Sequence, residues 1–238
     1  MKAMNTRRNV WGLAQVVGML ALVNVLVGAI GATIIGGQAL AEAAKPLRIV
    51  AFGDSLTSGY GLRSSQAFPA QLQKALKKRG HNVVVTNAGV AGDTTTAGLE
   101  RLDWAVPDGT DAVIVELGAN DALRGIDPKV TRANLEKIIA ALKERSIPIL
   151  LAGMRSPANW GDSYAEDFDA VFPQLARANG LIYYPFFLEG VVLDSKLNQD
   201  DGMHPSGKGV AEIVKRMLPS VEELIARAQS QRASASKS

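Results

Sequence analysis

Short apolar runs alternate with longer segments of helical pattern from residue 47 to residue 228, and this alternation strongly constrains the fold. Five runs have the length of strands: residues 47–52, 83–86, 112–117, 149–152 and 181–184. Helical patterns lie between and after them: residues 67–79, 95–102, 128–145, 164–179 and 206–228. Strands that alternate with helices form a parallel sheet covered on both faces. The pattern therefore predicts an α/β fold, a three-layer α/β/α sandwich with a five-stranded parallel sheet.

The first 41 residues have the three regions of a secretory signal peptide. The only charges before Glu42 are basic and lie within the first eight residues, and residues 16–35 are mostly apolar. Residues 39–41 (Ala-Leu-Ala) supply small side chains at the −3 and −1 positions of a cleavage site. We therefore expect residues 1–41 to direct export, which in a Gram-negative cell means a periplasmic location.

Two alternatives for this segment stay open. About 20 apolar residues span a bilayer, so residues 1–41 also suit an uncleaved anchor in the inner membrane. Arg7-Arg8 allows a twin-arginine export signal, although a plain basic segment fits the rest of the pattern better. In either case residues 42–228 are expected to form one domain outside the cytoplasm. Residues 229–238 are small and polar, which predicts a disordered tail.

The composition limits the chemistry that is possible. The chain has no cysteine, which excludes disulfides, thiolate nucleophiles and Cys-ligated zinc. Its two histidines, His81 and His204, cannot form a three-His metal site. After the first eight residues, basic and acidic residues are equal in number, so the net charge of +3 comes from the N-terminus. We therefore expect no nucleic-acid partner, which would require a basic patch in the folded part.

A serine follows the first predicted strand directly, in the segment 53–56 (Gly-Asp-Ser-Leu). At a strand-to-helix turn the hydroxyl of Ser55 is exposed, and it can act as a nucleophile if a base lies within hydrogen-bond reach. The same residues equally suit a glycine-rich turn with a helix-capping serine. Residues 161–163 repeat Gly-Asp-Ser in a loop without a strand end, where we interpret Asp162 or Ser163 as a helix cap.

The candidate base is His204, three residues after Asp201 and just before the last predicted helix. At this spacing the carboxylate can hold one ring nitrogen while the other faces a nucleophile. A surface or capping histidine is the alternative. His81 lies in a polar connection between a helix and a strand and has no acid nearby in sequence, so we assign it no catalytic role.

Two further segments can supply hydrogen-bond donors to an oxyanion. Gly92 follows the second predicted strand, and its N–H can approach a substrate oxygen closely because the residue has no side chain. Asn120 follows the third strand and offers a neutral side-chain donor. Both are also common turn residues. Because the carboxyl ends of parallel strands meet at one edge of a sheet, we expect both to lie near Ser55. Such a donor typically contributes about 3–4 kcal/mol to the transition state.

Four segments resemble, in order and spacing, the four sequence blocks of the SGNH (GDSL) hydrolase superfamily; they contain Ser55, Gly92, Asn120 and His204. Residues 154–161, 184–188 and 199–205 resemble more narrowly the bacterial periplasmic acyl-CoA thioesterase/lysophospholipase/arylesterase group. The resemblance covers roughly residues 47–220. The chain has no Gly-x-Ser-x-Gly segment, so it is not a typical α/β-hydrolase.

The resemblance implies a flavodoxin-like strand order and a catalytic triad of Ser55, Asp201 and His204 that acts through an acyl-enzyme. It implies an oxyanion hole formed by the N–H groups of Ser55 and Gly92 and the side chain of Asn120. It also implies small-molecule acyl esters or thioesters as substrates (aryl esters, acyl-CoA and lysophospholipid), with no metal or cofactor. We expect a monomer that meets a membrane only through an uncleaved N-terminal segment or a lipid substrate.

The sequence departs from the family pattern at two positions and leaves the substrate open. Ala119 stands where the family usually has glycine, and Ala91 where the group often has serine, which can alter the width of the pocket. Candidates for an acyl groove, which equally suit core packing, are Leu123, Ile126, Pro157, Phe186, Leu188 and Val191. The alternatives to an esterase and thioesterase are an O-acetylesterase of envelope polysaccharide and a non-catalytic lipid-binding module of the same fold.

Overall fold

Five parallel strands form one sheet in the order β2-β1-β3-β4-β5. They are β1 (Leu47–Gly53), β2 (Val83–Gly89), β3 (Ala112–Glu116), β4 (Ile149–Ala152) and β5 (Ile182–Tyr184). The computed structural model describes residues 45–236, so the predicted signal peptide or anchor, residues 1–41, lies outside the described residues. The order is the flavodoxin-like one, and the predicted α/β fold with a five-stranded parallel sheet is confirmed.

Two groups of helices cover the sheet. The helices are α1 (Ser55–Ser58), α2 (Phe68–Lys78), α3 (Thr95–Glu100), α4 (Leu102–Ala105), α5 (Ala119–Leu123), α6 (Pro128–Glu144), α7 (Asp162–Asn179) and α8 (Gly207–Ala235). Helix α2 packs against α8, and α6 packs against both α3 and α7. Crossovers between parallel strands are right-handed in nearly all proteins, and with this strand order that rule assigns the two groups to opposite faces of the sheet. Within residues 45–236, no helix is long and apolar enough to cross a membrane.

The central strands are buried on both faces, which explains why they occur as continuous apolar runs in the sequence and could be predicted from it. Every residue of β3 and β4 is buried, and only Arg48 of β1 is exposed. Strand β2 lies at the edge, where exposed residues interrupt the pattern. A strand buried on both faces needs apolar side chains at every position, whereas an edge strand does not.

The C-terminal segment corrects one prediction. Residues 229–235, expected to be disordered, continue α8 to Ala235. Ala228 is buried against the core, and the guanidinium of Arg232 donates two hydrogen bonds to Asp111, at 2.7 and 3.2 Å. The composition of this segment is typical of a disordered tail, but it holds residues that favour a helix and an arginine with a partner 121 residues away.

Three local features also differ from expectation. The helix predicted at residues 95–102 is two short helices, α3 and α4, that meet at Arg101. The N-cap of α7 is Gly161, with φ of +86° and no side-chain capping bond, so the predicted cap at Asp162 or Ser163 is wrong. Helices α1 and α5 were not predicted, because four or five residues are too few to show a helical period.

Candidate active site

The site lies at the carboxyl ends of the strands, where the strand order reverses between β1 and β3. Ser55 begins α1 two residues after β1, Gly92 follows β2, and Asn120 lies in α5 after β3. Asp201 and His204 lie in the loop between β5 and α8. All five residues line one cleft of about 1020 Å³. Sheets of this order bind ligands in the crevice at such a switch point.

A chain of hydrogen bonds connects Ser55 to Asp201 through His204. The Nε2 atom of His204 lies 3.0 Å from Ser55 Oγ, and its Nδ1 atom lies 2.7 Å from Asp201 Oδ2. The contact with the carboxylate places the ring proton on Nδ1, so Nε2 can accept the hydroxyl proton. These distances lie within the range in which a base can take a proton from a nucleophile.

The loop itself fixes the carboxylate of Asp201. Its Oδ1 atom accepts hydrogen bonds from the N–H groups of Met203 and His204, both at 2.9 Å. These bonds and the bond from the His204 ring lower the pKa of Asp201 to about 2, so this carboxyl is ionised at neutral pH. Gln199 connects the loop to the turn that follows α1, because its Nε2 donates to the Tyr60 carbonyl at 2.8 Å. The Tyr60 ring packs on the His204 ring with centroids 4.8 Å apart.

Close packing holds the turn that carries Ser55. The Asp54 side chain caps α1 by accepting from Leu56 N at 2.9 Å. A Cβ atom on Gly53 would lie 2.5 Å from the Glu116 carbonyl oxygen, and one on Gly89 would lie 2.3 Å from Ser58 N. Glycine at the ends of β1 and β2 therefore lets the backbone approach closely, and the turn is held between β2 and β3.

The two backbone donors predicted for an oxyanion are available. Within residues 45–236, the N–H groups of Ser55 and Gly92 form no hydrogen bond with the protein. Gly92 adopts a φ of +87°, a conformation that favours glycine, and its carbonyl accepts from Arg124 Nη2 at 2.8 Å. The structure thus leaves two amide hydrogens of the cleft unpaired.

The third predicted donor, Asn120, is already engaged. Its Nδ2 atom donates to Asp54 Oδ2 at 3.0 Å and to the Asp93 carbonyl at 2.9 Å. An amide nitrogen has two hydrogens, so both are used. To donate to an oxyanion, Asn120 has to share or release one of these bonds, which its position after β3 did not indicate.

Two carboxyl groups, those of Asp54 and Glu116, lie buried beneath the turn that carries Ser55, and the sequence patterns did not indicate a role for either. Glu116 Oε2 accepts from Thr57 Oγ1 at 2.6 Å and from Asp54 N at 3.4 Å. Burial raises the pKa of Asp54 to about 7. Burial and the neighbouring Asp54 raise the pKa of Glu116 well above its ordinary value. The available signal for Glu116 was a charged residue inside the otherwise apolar run 112–117, one position before its end.

Most of the predicted acyl-groove residues line the cleft: Leu123, Pro157, Phe186 and Leu188. Ile126 does not, because the chain turns at Gly125 after α5 and the Ile126 carbonyl accepts from Tyr164 in α7. Val191 is a core residue. Lining residues that were not predicted as an acyl groove include Tyr60, Met154, Arg155, Val192, Leu193 and Met203.

The remaining histidine has a partner far from the cleft. His81 Nε2 lies 3.1 Å from Glu222 Oε1 in α8, and Arg79 contacts the same oxygen at 2.8 Å. Among residues 45–236, no three carboxylate or imidazole side chains come together in a group able to hold a metal ion.

The chain is similar to a known hydrolase family over most of the described residues. The profile of the GDSL-like Lipase/Acylhydrolase family matches residues 51–211. An arylesterase of Vibrio mimicus is 38% identical over 175 residues, which cover 72% of this chain and 88% of that protein. The thioesterase 1/protease 1/lysophospholipase L1 of Escherichia coli (strain K12) is 38% identical over 186 residues, covering 78% and 87%.

Solved structures show the same fold. The crystal structure of AlinE4, an SGNH-hydrolase family esterase, superposes with a TM-score of 0.65 at 45% sequence identity. The match covers 76% of this chain and 97% of that chain. The resemblance identified from the four sequence blocks is confirmed.

Proposed function

Because the chain belongs to the GDSL-like Lipase/Acylhydrolase family of carboxylic ester hydrolases, we propose that it is a serine esterase and thioesterase whose nucleophile is Ser55. The hydrogen-bonded chain from Ser55 through His204 to Asp201 carries this proposal. It supplies the nucleophile, the base and the orienting carboxylate of a catalytic triad. Their shared cleft gives an ester access to all three.

The reaction proceeds in two halves. His204 Nε2 takes the hydroxyl proton as Ser55 Oγ attacks the acyl carbon, and Asp201 stabilises the imidazolium that forms. The tetrahedral intermediate expels the alcohol or thiol, which receives the proton from His204, and an acyl-enzyme remains on Ser55. His204 then activates a water molecule, which releases the acid and regenerates the serine.

The oxyanion of the intermediate is stabilised by the backbone. The N–H groups of Ser55 and Gly92 have no partner within the described residues and can donate without losing an existing bond. Asn120 adds a third hydrogen bond by sharing one that it gives to Asp93 or Asp54. Preorganised donors of this kind often make the largest single contribution to acyl-transfer catalysis.

The cleft favours substrates with an acyl chain longer than acetyl. Leu123, Leu188 and Phe186 form part of its wall, and its volume of about 1020 Å³ is larger than an acetyl group requires. The names of the relatives, arylesterase and thioesterase 1/protease 1/lysophospholipase L1, support aryl esters, acyl-CoA and lysophospholipids as candidate substrates. An O-acetylesterase of envelope polysaccharide remains the alternative with the same chemistry.

We further propose that the enzyme is exported to the periplasm and acts as a monomer. The basic start, the apolar stretch 16–35 and the small residues at 39–41 support a signal peptide cleaved before Glu42. N-terminal sequencing of the protein from a periplasmic fraction tests this. A start at Met1 in the membrane fraction would instead establish the uncleaved anchor.

A panel of p-nitrophenyl esters and acyl-CoA thioesters of increasing chain length tests the proposed activity. We expect kcat/KM to rise from acetyl to medium or long chains, because longer chains bury more apolar surface in the cleft. Activity confined to acetyl would favour the polysaccharide O-acetylesterase. A fluorophosphonate probe, with the labelled peptide mapped by mass spectrometry, tests the nucleophile. If the probe does not label Ser55, the result would favour a non-catalytic lipid-binding module of the same fold.

A further inference from the structure

A buried arginine joins three segments that surround the nucleophile. Arg101 lies between α3 and α4, and its side chain is 8% exposed. Its Nη2 donates to the Gly53 carbonyl at 2.8 Å, its Nη1 to the Ala88 carbonyl at 2.9 Å and its Nε to Asp93 Oδ2 at 2.5 Å. The guanidinium also lies over the Phe52 ring, 4.5 Å from its centroid. Each nitrogen of the guanidinium thus contacts a different segment.

These segments carry the groups that stabilise the oxyanion. Gly53 ends β1, two residues before Ser55, and Ala88 lies at the end of β2. Asp93 directly follows Gly92, and its carbonyl accepts the hydrogen bond from Asn120. Arg101 therefore binds residues that lie within two positions of Ser55 and next to Gly92, and one of them, Asp93, also accepts from Asn120. Arg101 itself is not among the residues that line the cleft.

We propose that Arg101 is a positioning residue that sets the distances between the oxyanion donors of Ser55, Gly92 and Asn120. This rests on the proposed function. The ends of β1 and β2 and the loop after β2 meet beside the cleft, and a planar, rigid guanidinium fork can hold all three segments in one geometry. Displacing a reacting group by about 1 Å can cost about 100-fold in rate, so this geometry matters for catalysis.

Arg101 forms more hydrogen bonds than an ion pair with Asp93 alone would require. An ion pair with Asp93 would occupy one edge of the guanidinium. The other two nitrogens of Arg101 donate to backbone carbonyls next to the active site. Buried ion pairs are by themselves weak evidence for stability. Arg232, at the opposite end of the sheet, is a suitable control for Arg101, because it also binds a carboxylate and a backbone carbonyl, those of Asp111 and Pro46.

The test compares Arg101→Lys with Arg232→Lys. Lysine keeps the positive charge but cannot reach three acceptors in the fixed geometry of the fork. With p-nitrophenyl butyrate, we expect Arg101→Lys to lower kcat by about 10- to 100-fold with KM changed less than about 2-fold. The affinity for butylboronic acid, which forms a tetrahedral adduct with a catalytic serine, falls by a similar factor. Arg232→Lys leaves these parameters unchanged.

A double-mutant cycle with Asn120→Ala separates positioning from general stability. If Arg101 acts through the donors, Arg101→Lys costs clearly less in the Asn120→Ala background than in the wild-type protein. Wild-type kcat and inhibitor affinity in Arg101→Lys, with only a lower melting temperature, would overturn the proposal. Additive losses in the cycle would also overturn it.

A second variant covers the case in which Arg101→Lys does not fold. Asp93→Asn weakens the same contact from the other side and retains the Asp93 carbonyl, and we expect the same selective loss of kcat. If neither variant folds, the cluster serves stability and the proposal is wrong. Ser55→Ala distinguishes this result from a failure of the proposed function. If Ser55→Ala retains activity, Ser55 is not the nucleophile and the proposed function is wrong. If Ser55→Ala is inactive and Arg101→Lys is fully active, only the positioning role of Arg101 is wrong.

Discussion

The Nε2 atom of His204 lies 3.0 Å from the Oγ atom of Ser55, although 149 residues separate them in the chain. Ser55 is held at the end of β1, and His204 is held by the turn that Asp201 organises before α8. The contact therefore depends on the turn after β1 and the turn before α8, which meet at the same edge of the sheet. Substitutions of Ser55 and of His204 test its two partners separately.

Replacing the proposed nucleophile or the proposed base should remove nearly all activity. We expect Ser55→Ala and His204→Ala each to lower kcat for p-nitrophenyl butyrate by a factor on the order of 10⁶, because neither proton transfer nor attack can then occur. Circular dichroism verifies that the variants fold. Ser163→Ala, in the second Gly-Asp-Ser segment, and His81→Ala are matched controls that retain wild-type kcat. Substantial hydrolysis by Ser55→Ala would exclude Ser55 as nucleophile.

Asp201 should matter through its charge and its bond to His204. We expect Asp201→Asn to lower kcat by about 10⁴-fold, because an amide can favour the wrong imidazole tautomer and no longer stabilises the imidazolium. The neighbouring Asp200→Asn serves as the control and should keep full activity. Equal activity of the two variants would show that the short Asp201–His204 contact has no catalytic role.

The engaged amide of Asn120 should still act as an oxyanion donor. We expect Asn120→Ala to lower kcat by about 10²- to 10³-fold while KM stays nearly constant, since the bond forms mainly in the transition state. Steady-state kinetics on a short p-nitrophenyl ester measures both parameters. A loss confined to KM would assign Asn120 to ground-state binding, and an unchanged kcat would mean that its bonds to Asp54 and Asp93 are never released.

Glu116→Gln should stabilise the protein more at alkaline than at acidic pH. Burial raises the pKa of Glu116 in the folded state. The folded protein therefore holds this proton more tightly than the unfolded chain, and the free energy of unfolding falls as pH rises above the ordinary glutamate pKa of about 4.3. Glutamine cannot ionise, so the variant avoids this loss.

Urea unfolding of wild type and Glu116→Gln at pH 5 and pH 8 measures this effect. We expect the stability difference between variant and wild type to shift in favour of the variant from pH 5 to pH 8. Glu144→Gln, on the exposed end of α6, should show no such change. An unchanged difference would mean that Glu116 ionises at little cost in the folded protein, and a shift in the opposite direction would mean that folding lowers its pKa.

Truncation should reveal the contribution of the C-terminal turns of α8. Ending the chain after Ala228 removes Arg232, whose two bonds to Asp111 are partly buried. We expect the free energy of unfolding to fall by about 1–3 kcal/mol, the range for hydrogen bonds to charged groups. Ending it after Ala233 keeps Arg232 and should cost much less. Equal stability of the two truncated proteins would show that the Arg232 contact contributes nothing.

The fold and the approach of Ser55, Gly92 and Asn120 to one another could be predicted from local patterns. Buried parallel strands require continuous apolar runs, and helices on the sheet require a helical period, so both leave a trace in neighbouring residues. Ser55, Gly92 and Asn120 each follow a strand, and the carboxyl ends of parallel strands meet at one edge. Their approximate proximity therefore follows from strand order alone.

Some elements were not readable because their cause lies elsewhere in the chain. Residues 229–235 look like a disordered tail, yet they are helical where Arg232 reaches Asp111. Ile126 follows α5 as Leu123 does, but the turn at Gly125 separates it from the residues that line the cleft. In both cases the deciding contact or turn overrides the local composition.

Local sequence patterns indicate the layer architecture, the strand positions and the residue types that could supply a nucleophile, a base and hydrogen-bond donors at one edge of the sheet. How those groups are held becomes visible only in the packed structure. Asn120 is bonded to Asp54 and Asp93, Glu116 is buried under the turn of Ser55, and Arg101 joins the ends of β1 and β2 to the loop after β2. The periodicity of a sequence reports only which face of a helix or strand is buried. Hydrogen bonds between side chains and distant backbone groups depend on distances and angles that form only when the elements pack.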